Sequence, residues 1–351
     1  MKNIILTGGG TAGHCSPNLT LIPFLKKYFN NIYYIGSDLG IERKLVEKEN
    51  IPYFSVPCAK LVRSFTLKNL IMPFKVLDGI NKAKKLIDKL NPSVIFSKGG
   101  YVSLPVVIAG NSKKIPVISH ESDLTVGLAN KIASKYSKLV LTSFPETASQ
   151  LKNGKFIGSP IKTPKTNLSN KTCFNYFGFT ANLPVLLITG GSLGAKAINN
   201  VVYEALPHLT KTFNVIHLCG KGNFNANVKH ENYFQAEFIN NMDYALKIAD
   251  ICLSRAGANT LFELISAKIP CVAVPLQNNA SRGDQILNAE YFYKKGLVYL
   301  LKQDLLTVDS LLLAITCAFA NRTNIINKLE NCPFTDKSSE IAELIYNYAK
   351  S

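Results

Sequence analysis

An apolar run that turns through glycines into a helix-compatible stretch occurs twice in this sequence, about half a chain apart. The first is Ile4-Ile5-Leu6-Thr7-Gly8-Gly9-Gly10-Thr11-Ala12-Gly13, and the second is Leu186-Leu187-Ile188-Thr189-Gly190-Gly191-Ser192-Leu193-Gly194-Ala195. Glycines at such a turn let backbone N–H groups approach an anion, and the helix that follows points its positive end at the same place. Short apolar runs rich in β-branched residues recur around both turns, at residues 4–7, 32–35, 94–96, 117–119 and 139–141, then 185–189, 215–218, 251–253 and 271–274. Amphipathic stretches separate them. That is the rhythm of βαβ units with buried parallel strands, so the expected fold class is α/β, with two Rossmann-like domains rather than one large sheet.

The chain is long and apolar enough for two cores, with 351 residues of which 47% are hydrophobic and 18% charged. Its eight cysteines form no Cys-x-x-Cys pair, which argues against a disulfide framework and a structural zinc site and fits a reducing compartment. Only Ile4 to Leu6 are apolar before the first glycines, and the longest apolar run, residues 311–320, is short of a bilayer span; neither secretion nor a membrane span is expected. Charge is uneven. Residues 1–160 hold 22 Lys and Arg against 9 Asp and Glu, a net of +13, whereas residues 161–351 hold 18 against 14, a net of +4. The first half is therefore expected to meet something acidic, with general lysine use for solubility as the plainer explanation.

Several residues have the right type and place for chemistry. Gly8-x-Gly10-x-x-Gly13 matches the dinucleotide fingerprint, and Asp38 after the second strand would suit a ribose, so an NAD-dependent oxidoreductase is one candidate activity. The second glycine loop argues instead for two phosphorylated ligands, one per domain. His14 follows the first loop and is a candidate general base, or else a helix-capping or phosphate-binding residue. His120-Glu121 ends a strand where α/β sheets place ligands. Residues 254–263 read as strand end, tight loop and helix start, so that N–H groups of Ala258, Asn259 and Thr260 would receive phosphate and Glu263 a ribose diol. Beyond the next strand, the loop from Gln277 leads to Asp284-Gln285, polar groups suited to sugar hydroxyls.

Taken in order, these motifs resemble the MurG family of peptidoglycan N-acetylglucosamine transferases, in its Gram-positive form. The resemblance runs through Gly8 to His14 with Pro17, Gly99-Gly100-Tyr101-Val102-Ser103, His120-Glu121 with Gly127-Leu128-Ala129-Asn130, Gly158-Ser159-Pro160, the second glycine loop, Arg255-Ala256-Gly257-Ala258, and Asp284-Gln285 with Asn288-Ala289. It implies a GT-B architecture: residues 1–160 an acceptor- and membrane-facing domain, 161–335 a donor domain, and 336–351 a helix packing back on the first. The implied reaction is inverting transfer of N-acetylglucosamine from UDP-GlcNAc to the muramic acid C4 hydroxyl of lipid I, giving lipid II, in the cleft between domains. The implied donor residues are Thr11, Ala12, Gly13, Asp123, Lys162, Ser192, Ile239, Ala258, Asn259, Thr260, Leu261, Phe262, Glu263 and Gln285. Gly9, Gly10, Gly99, Gly100, Tyr101, Ser103 and His120 fall on the acceptor side, with His14, Glu121 and Asp123 as the catalytic candidates.

The resemblance implies no cofactor and no metal site, although a divalent ion assisting UDP departure stays open, and no nucleic acid. Its implied partners are UDP-GlcNAc, lipid I, an anionic membrane surface on the cytoplasmic side of the cell membrane, where the chain would sit peripherally, and other cell-wall synthesis proteins. The stretch around Lys68, Leu70, Ile71, Phe74 and Lys75, an apolar stripe among lysines, would supply the membrane face, or else pack on the core. Three positions depart from the family wording: Ser122-Asp123 for Gln-Asn, Lys162 for Arg, and Ala12 for Gly. A non-catalytic UDP-sugar-binding protein is the alternative outside enzymes.

Overall fold

In the computed structural model, which describes residues 2–59, 67–162, 168–180, 182–191, 194–277 and 283–349, the chain divides into two compact units, Met1–Lys162 with Asp336–Ser351, and Thr163–Thr335. The first unit contains β1 (Asn3–Thr7), α1 (Ala12–Leu25), β2 (Asn31–Gly36), α2 (Ile41–Lys48), β3 (Tyr53–Ser55), α3 (Leu67–Leu90), β4 (Val94–Ser97), α4 (Leu104–Ser112), β5 (Val117–Glu121), α5 (Leu128–Ala133), β6 (Leu139–Thr142), α6 (Pro145–Ser149) and β7 (Gly154–Phe156). All seven strands are parallel, in the order β3-β2-β1-β4-β5-β6-β7. Central strands are apolar because helices cover both faces: Val94 to Ser97 and Val117 to Glu121 are buried at every position.

The second unit contains α7 (Asn170–Phe177), β8 (Val185–Thr189), α8 (Lys196–Thr212), β9 (Asn214–Leu218), β10 (Tyr233–Ala236), α9 (Met242–Ile248), β11 (Ile251–Ser254), α10 (Ala258–Ser266), β12 (Cys271–Ala273), α11 (Asp284–Lys294), β13 (Tyr299–Leu300), α12 (Val308–Ala320) and α13 (Arg322–Glu330). Its sheet is again parallel, in the order β10-β9-β8-β11-β12-β13. In both sheets the strand order reverses beside the first strand, between β1 and β4 and between β8 and β11. Those reversals are where a doubly wound sheet opens a crevice for ligands.

The last helix, α14 (Ser338–Asn347), belongs to the first unit. Ile341, Ala342 and Ile345 are fully buried with Ile4, Leu21 and Leu25, and Tyr346 stacks on Tyr28 with ring centroids 5.0 Å apart. Burying each isoleucine contributes about 1.5 to 3 kcal/mol. One carboxylate oxygen of Asp336 fixes the entry to this helix, accepting the N–H groups of Ile161 and Ser338, each at 2.9 Å. All eight cysteines are free thiols. Among the described residues no helix is long and apolar enough to cross a membrane.

Candidate functional site

In the first unit the loops leaving β1, β4 and β5 lie side by side at the strand-order reversal. Gly100 packs on the first glycine loop so closely that a Cβ there would lie 2.3 Å from the carbonyl oxygen of Gly9, and its φ of +81° also favours glycine. His14, half-buried in the first turn of α1, has Nδ1 3.3 Å from the carbonyl oxygen of Lys98. Because a carbonyl only accepts, Nδ1 is the donor in this contact, which makes Nε2 the nitrogen through which the ring could act as a base.

The loop after β5 is built around Glu121. Its carboxylate, 2% exposed, accepts the N–H groups of Ser122 at 2.8 Å, Asp123 at 3.1 Å and Gly127 at 3.0 Å, and the amide of Asn130 at 2.9 Å. Four donors on two oxygens leave this group holding a loop in shape, so the geometry replaces the expectation of a catalytic Glu121 with a positioning one. Asp123, half-buried at the tip, is presented by it. His120 is fully buried, with Nε2 2.9 Å from the carbonyl oxygen of Gly158. Burial and the neighbouring Lys98 cation hold His120 well below the ordinary histidine range, so it stays neutral.

Ser103 departs from its expected acceptor role. It is 1% exposed and its hydroxyl donates to the carbonyl oxygen of Gly100, closing the turn. Tyr101 stays half-buried against Gly10, and Thr11 and Gly13 are exposed. Lys162 is exposed at the last described position before residue 168.

Two residues of this site escaped the sequence reading. Glu42, fully buried at the start of α2, accepts the N–H groups of Gly10 at 3.2 Å and Ser37 at 3.1 Å, and the Ser37 hydroxyl. Asp38, the ribose-binding candidate of the sequence, is exposed. With a buried carboxylate under it, the first loop is poorly made for the pyrophosphate of a dinucleotide. Lys98, 2% exposed, is the other; a lysine ending a buried apolar strand just before Gly99-Gly100 was the available signal.

In the second unit the loops leaving β8 and β11 flank the corresponding reversal. A Cβ on Gly194 would lie 2.0 Å from the carbonyl oxygen of Cys219, so the second loop is seated directly on the end of β9. Asn199 braces the same carbonyl through its amide at 2.9 Å and offers its own oxygen 3.1 Å from Nε2 of His217, whose Nδ1 lies 3.0 Å from the Tyr233 hydroxyl. Burial pushes His217 down to about 4, so this bracing network is neutral.

The loop after β11 reaches α10 through Gly257, and Arg255 ties it to β12 by donating to the carbonyl oxygen of Val274 at 3.2 Å. The Leu261 N–H is taken by the Gly257 carbonyl at 3.0 Å, so residues 258–260 form the first turn of α10, the end of the helix where the dipole favours an anion. Glu263 stands half-buried one turn in.

Leu261 and Phe262 differ from expectation. They are 0% and 1% exposed, and the Phe262 ring packs edge-on to Phe292 at 5.4 Å, so both side chains are core rather than donor contacts. Ile239 is 4% exposed and has mainly its backbone to offer a base. Gln285 binds the Leu276 N–H through Oε1 at 3.0 Å, linking α11 to the loop after β12. Ser192 lies outside the described residues, as do the side chains of Lys68, Leu70 and Ile71. Of the stripe on α3, Phe74 is 73% and Leu77 57% exposed beside an exposed Lys75, so these positions are not core. Among the described residues no group of three or more His, Cys, Asp or Glu is arranged to hold a metal ion.

Comparison with known proteins bears on both units. The glycosyltransferase family 28 N-terminal domain matches residues 4–142, and the family 28 C-terminal domain matches residues 185–345. A protein of Clostridium botulinum strain 657, named UDP-N-acetylglucosamine--N-acetylmuramyl-(pentapeptide) pyrophosphoryl-undecaprenol N-acetylglucosamine transferase, is 46% identical over 354 aligned residues covering 100% of each chain. One of the same name from Lachnoclostridium phytofermentans is 46% identical over 98% of each. The crystal structure of Acinetobacter baumannii MurG superposes with a TM-score of 0.76 at 25% identity, covering 99% of this chain and 100% of that one. The kitacinnamycin glycosyltransferase, at 14% identity and a TM-score of 0.75 over 99% of each chain, shares the fold.

Proposed function

This chain belongs to glycosyltransferase family 28, in its branch of N-acetylglucosamine transferases acting on N-acetylmuramyl-(pentapeptide) pyrophosphoryl-undecaprenol, and on that premise we propose how its residues divide the work. The enzyme is a hexosyltransferase of GT-B fold that moves N-acetylglucosamine from UDP-GlcNAc to lipid I and makes lipid II. The full-length match to those transferases is the single observation that carries the activity.

In this reading the second unit binds the donor. The first turn of α10, at Ala258, Asn259 and Thr260, meets the diphosphate, where the helix end favours negative charge that grows as UDP departs. Glu263 accepts the ribose hydroxyls, the backbone at Ile239 reads the base, and Gln285 with Asp284 reads the sugar. Ser192 in the second glycine loop and Lys162 complete the phosphate contacts. The first unit holds the acceptor along Gly9, Gly10, Gly99, Gly100 and Tyr101. The C4 hydroxyl of the muramic acid attacks C1 of N-acetylglucosamine opposite the leaving UDP, the C1–O bond to phosphate breaks with its electron pair going to UDP, and the hydroxyl proton passes to Nε2 of His14. Displacement from the opposite face inverts C1. Asp123, on the acceptor side with His14, orients the attacking hydroxyl, and no resident cofactor takes part.

The chain reaches its lipid substrate peripherally, from the cytoplasmic side of the cell membrane. Support comes from exposed Phe74 and Leu77 beside Lys75 on α3, and from the net charge of +13 on residues 1–160. Thermal unfolding tests the donor assignment. UDP-GlcNAc at a hundred times its Kd raises stability by about 2.7 kcal/mol, whereas NAD leaves the melting temperature unchanged. Protection by NAD and not by UDP-GlcNAc contradicts the reading.

A further inference from the structure

The end of β4 carries a lysine into the interior of the first unit, and nothing in the mechanism above uses it. Lys98 Nζ lies 2.6 Å from Nδ1 of His120 and donates to the hydroxyl of Ser122. The other ring nitrogen of His120 faces the Gly158 carbonyl at 2.9 Å, so Nε2 carries the proton and Nδ1 can only accept, which makes Lys98 its donor. One residue therefore touches both halves of the acceptor side. Its backbone carbonyl is the partner of His14 Nδ1, and its ammonium grips both ends of the His120-Glu121-Ser122 turn that leads to Asp123.

We propose that Lys98 is a positioning residue of the transferase, its ammonium locking the His120 tautomer and the Ser122 hydroxyl so that Asp123 is held at a fixed place relative to His14. A buried cation is costly, and the fold retains one here although an apolar side chain would fill the same space. Burial, opposed in part by the Glu121 and Asp123 carboxylates, brings Lys98 down to about 7. Either protonation state still has hydrogens enough for both contacts.

The inference rests on the acceptor role given to the first unit, and the test separates the two. In the full-length enzyme, Lys98→Met keeps the volume and removes the donor, and Ser122→Ala removes the loop end of the contact at a half-buried site. Lys98→Met is expected to lower kcat/KM for a lipid I analogue about a hundred-fold, the scale of loss when reacting groups are misplaced by about 1 Å, with the UDP-GlcNAc KM unchanged. Ser122→Ala shows a smaller loss of the same kind. The nitrogen NMR resonance of His120 Nδ1 moves in Lys98→Met, as befits a lone pair that has lost its donor. An active wild type with wild-type kinetics in both variants overturns the proposal, and so does an equal loss for donor and acceptor. If Lys98→Met does not fold, Ser122→Ala decides alone. If the wild-type chain transfers no sugar, the acceptor reading has failed, and an unmoved His120 resonance in Lys98→Met then refutes the positioning as well.

Discussion

The carboxylate of Glu42 accepts the backbone N–H of Gly10 at 3.2 Å, so the tip of the first glycine loop is fastened from below by a buried charge on α2. The N–H groups of Ser37 and Gly10 share that acceptor. Glu42→Ala leaves both without it, at a cost of about 1 to 3 kcal/mol for each buried donor left unsatisfied. Urea unfolding of the variant is expected to show that loss, and a folded fraction should have a raised lipid I KM with unchanged UDP-GlcNAc affinity. Wild-type stability would remove Glu42 from this role.

Glu263→Ala should weaken UDP-GlcNAc binding, since hydrogen bonds from a carboxylate to two ribose hydroxyls are worth about 1.5 to 3 kcal/mol each. Calorimetric titration of the folded variant checks it. An unaltered Kd would make Glu263 a structural residue of α10.

The strands read most easily from the sequence are those buried on both faces, and the unread ones are the four sheet edges. β3, β7, β10 and β13 are edge strands with half-buried or exposed residues throughout, so they carry no continuous apolar run to betray them. In the site, glycine loops and helix starts were legible because backbone chemistry writes itself in glycine spacing. Residues acting through tertiary contacts were not. Glu42 and Lys98 are buried by neighbours distant in sequence, and Ser103, Leu261 and Phe262 sit inside motifs yet face inward.

His14→Ala should depress turnover by about 10² to 10⁴, the usual worth of a general base, while leaving UDP-GlcNAc affinity intact. Steady-state kinetics with the donor Kd measured separately reads both. A loss of only a few-fold with an unchanged pH profile would move the base to another group, with Asp123 next in place.

Stability should fall as the medium is acidified. His217 is held at about 4 against an ordinary 6.5, so between those values the unfolded chain binds a proton that the folded chain refuses. Stability then rises with pH across the window and is lost on going down through it, by about 3 kcal/mol in all. His120 is shifted in the same direction and adds to the loss. Lys98, at about 7 against 10.5, makes stability rise with pH on the alkaline side as well. Denaturation midpoints at pH 7 and 5 test the acid limb, and a midpoint that rises towards pH 5 would contradict it.

The most direct test of the central claim is the formation of lipid II from lipid I and UDP-GlcNAc labelled in its sugar, using the purified full-length chain on anionic vesicles. The account predicts label transferred to the lipid with one UDP released for each sugar moved, and no transfer when UDP-glucuronate replaces the donor. UDP release without labelled lipid, or binding of UDP-GlcNAc with no turnover under any acceptor concentration, would contradict it.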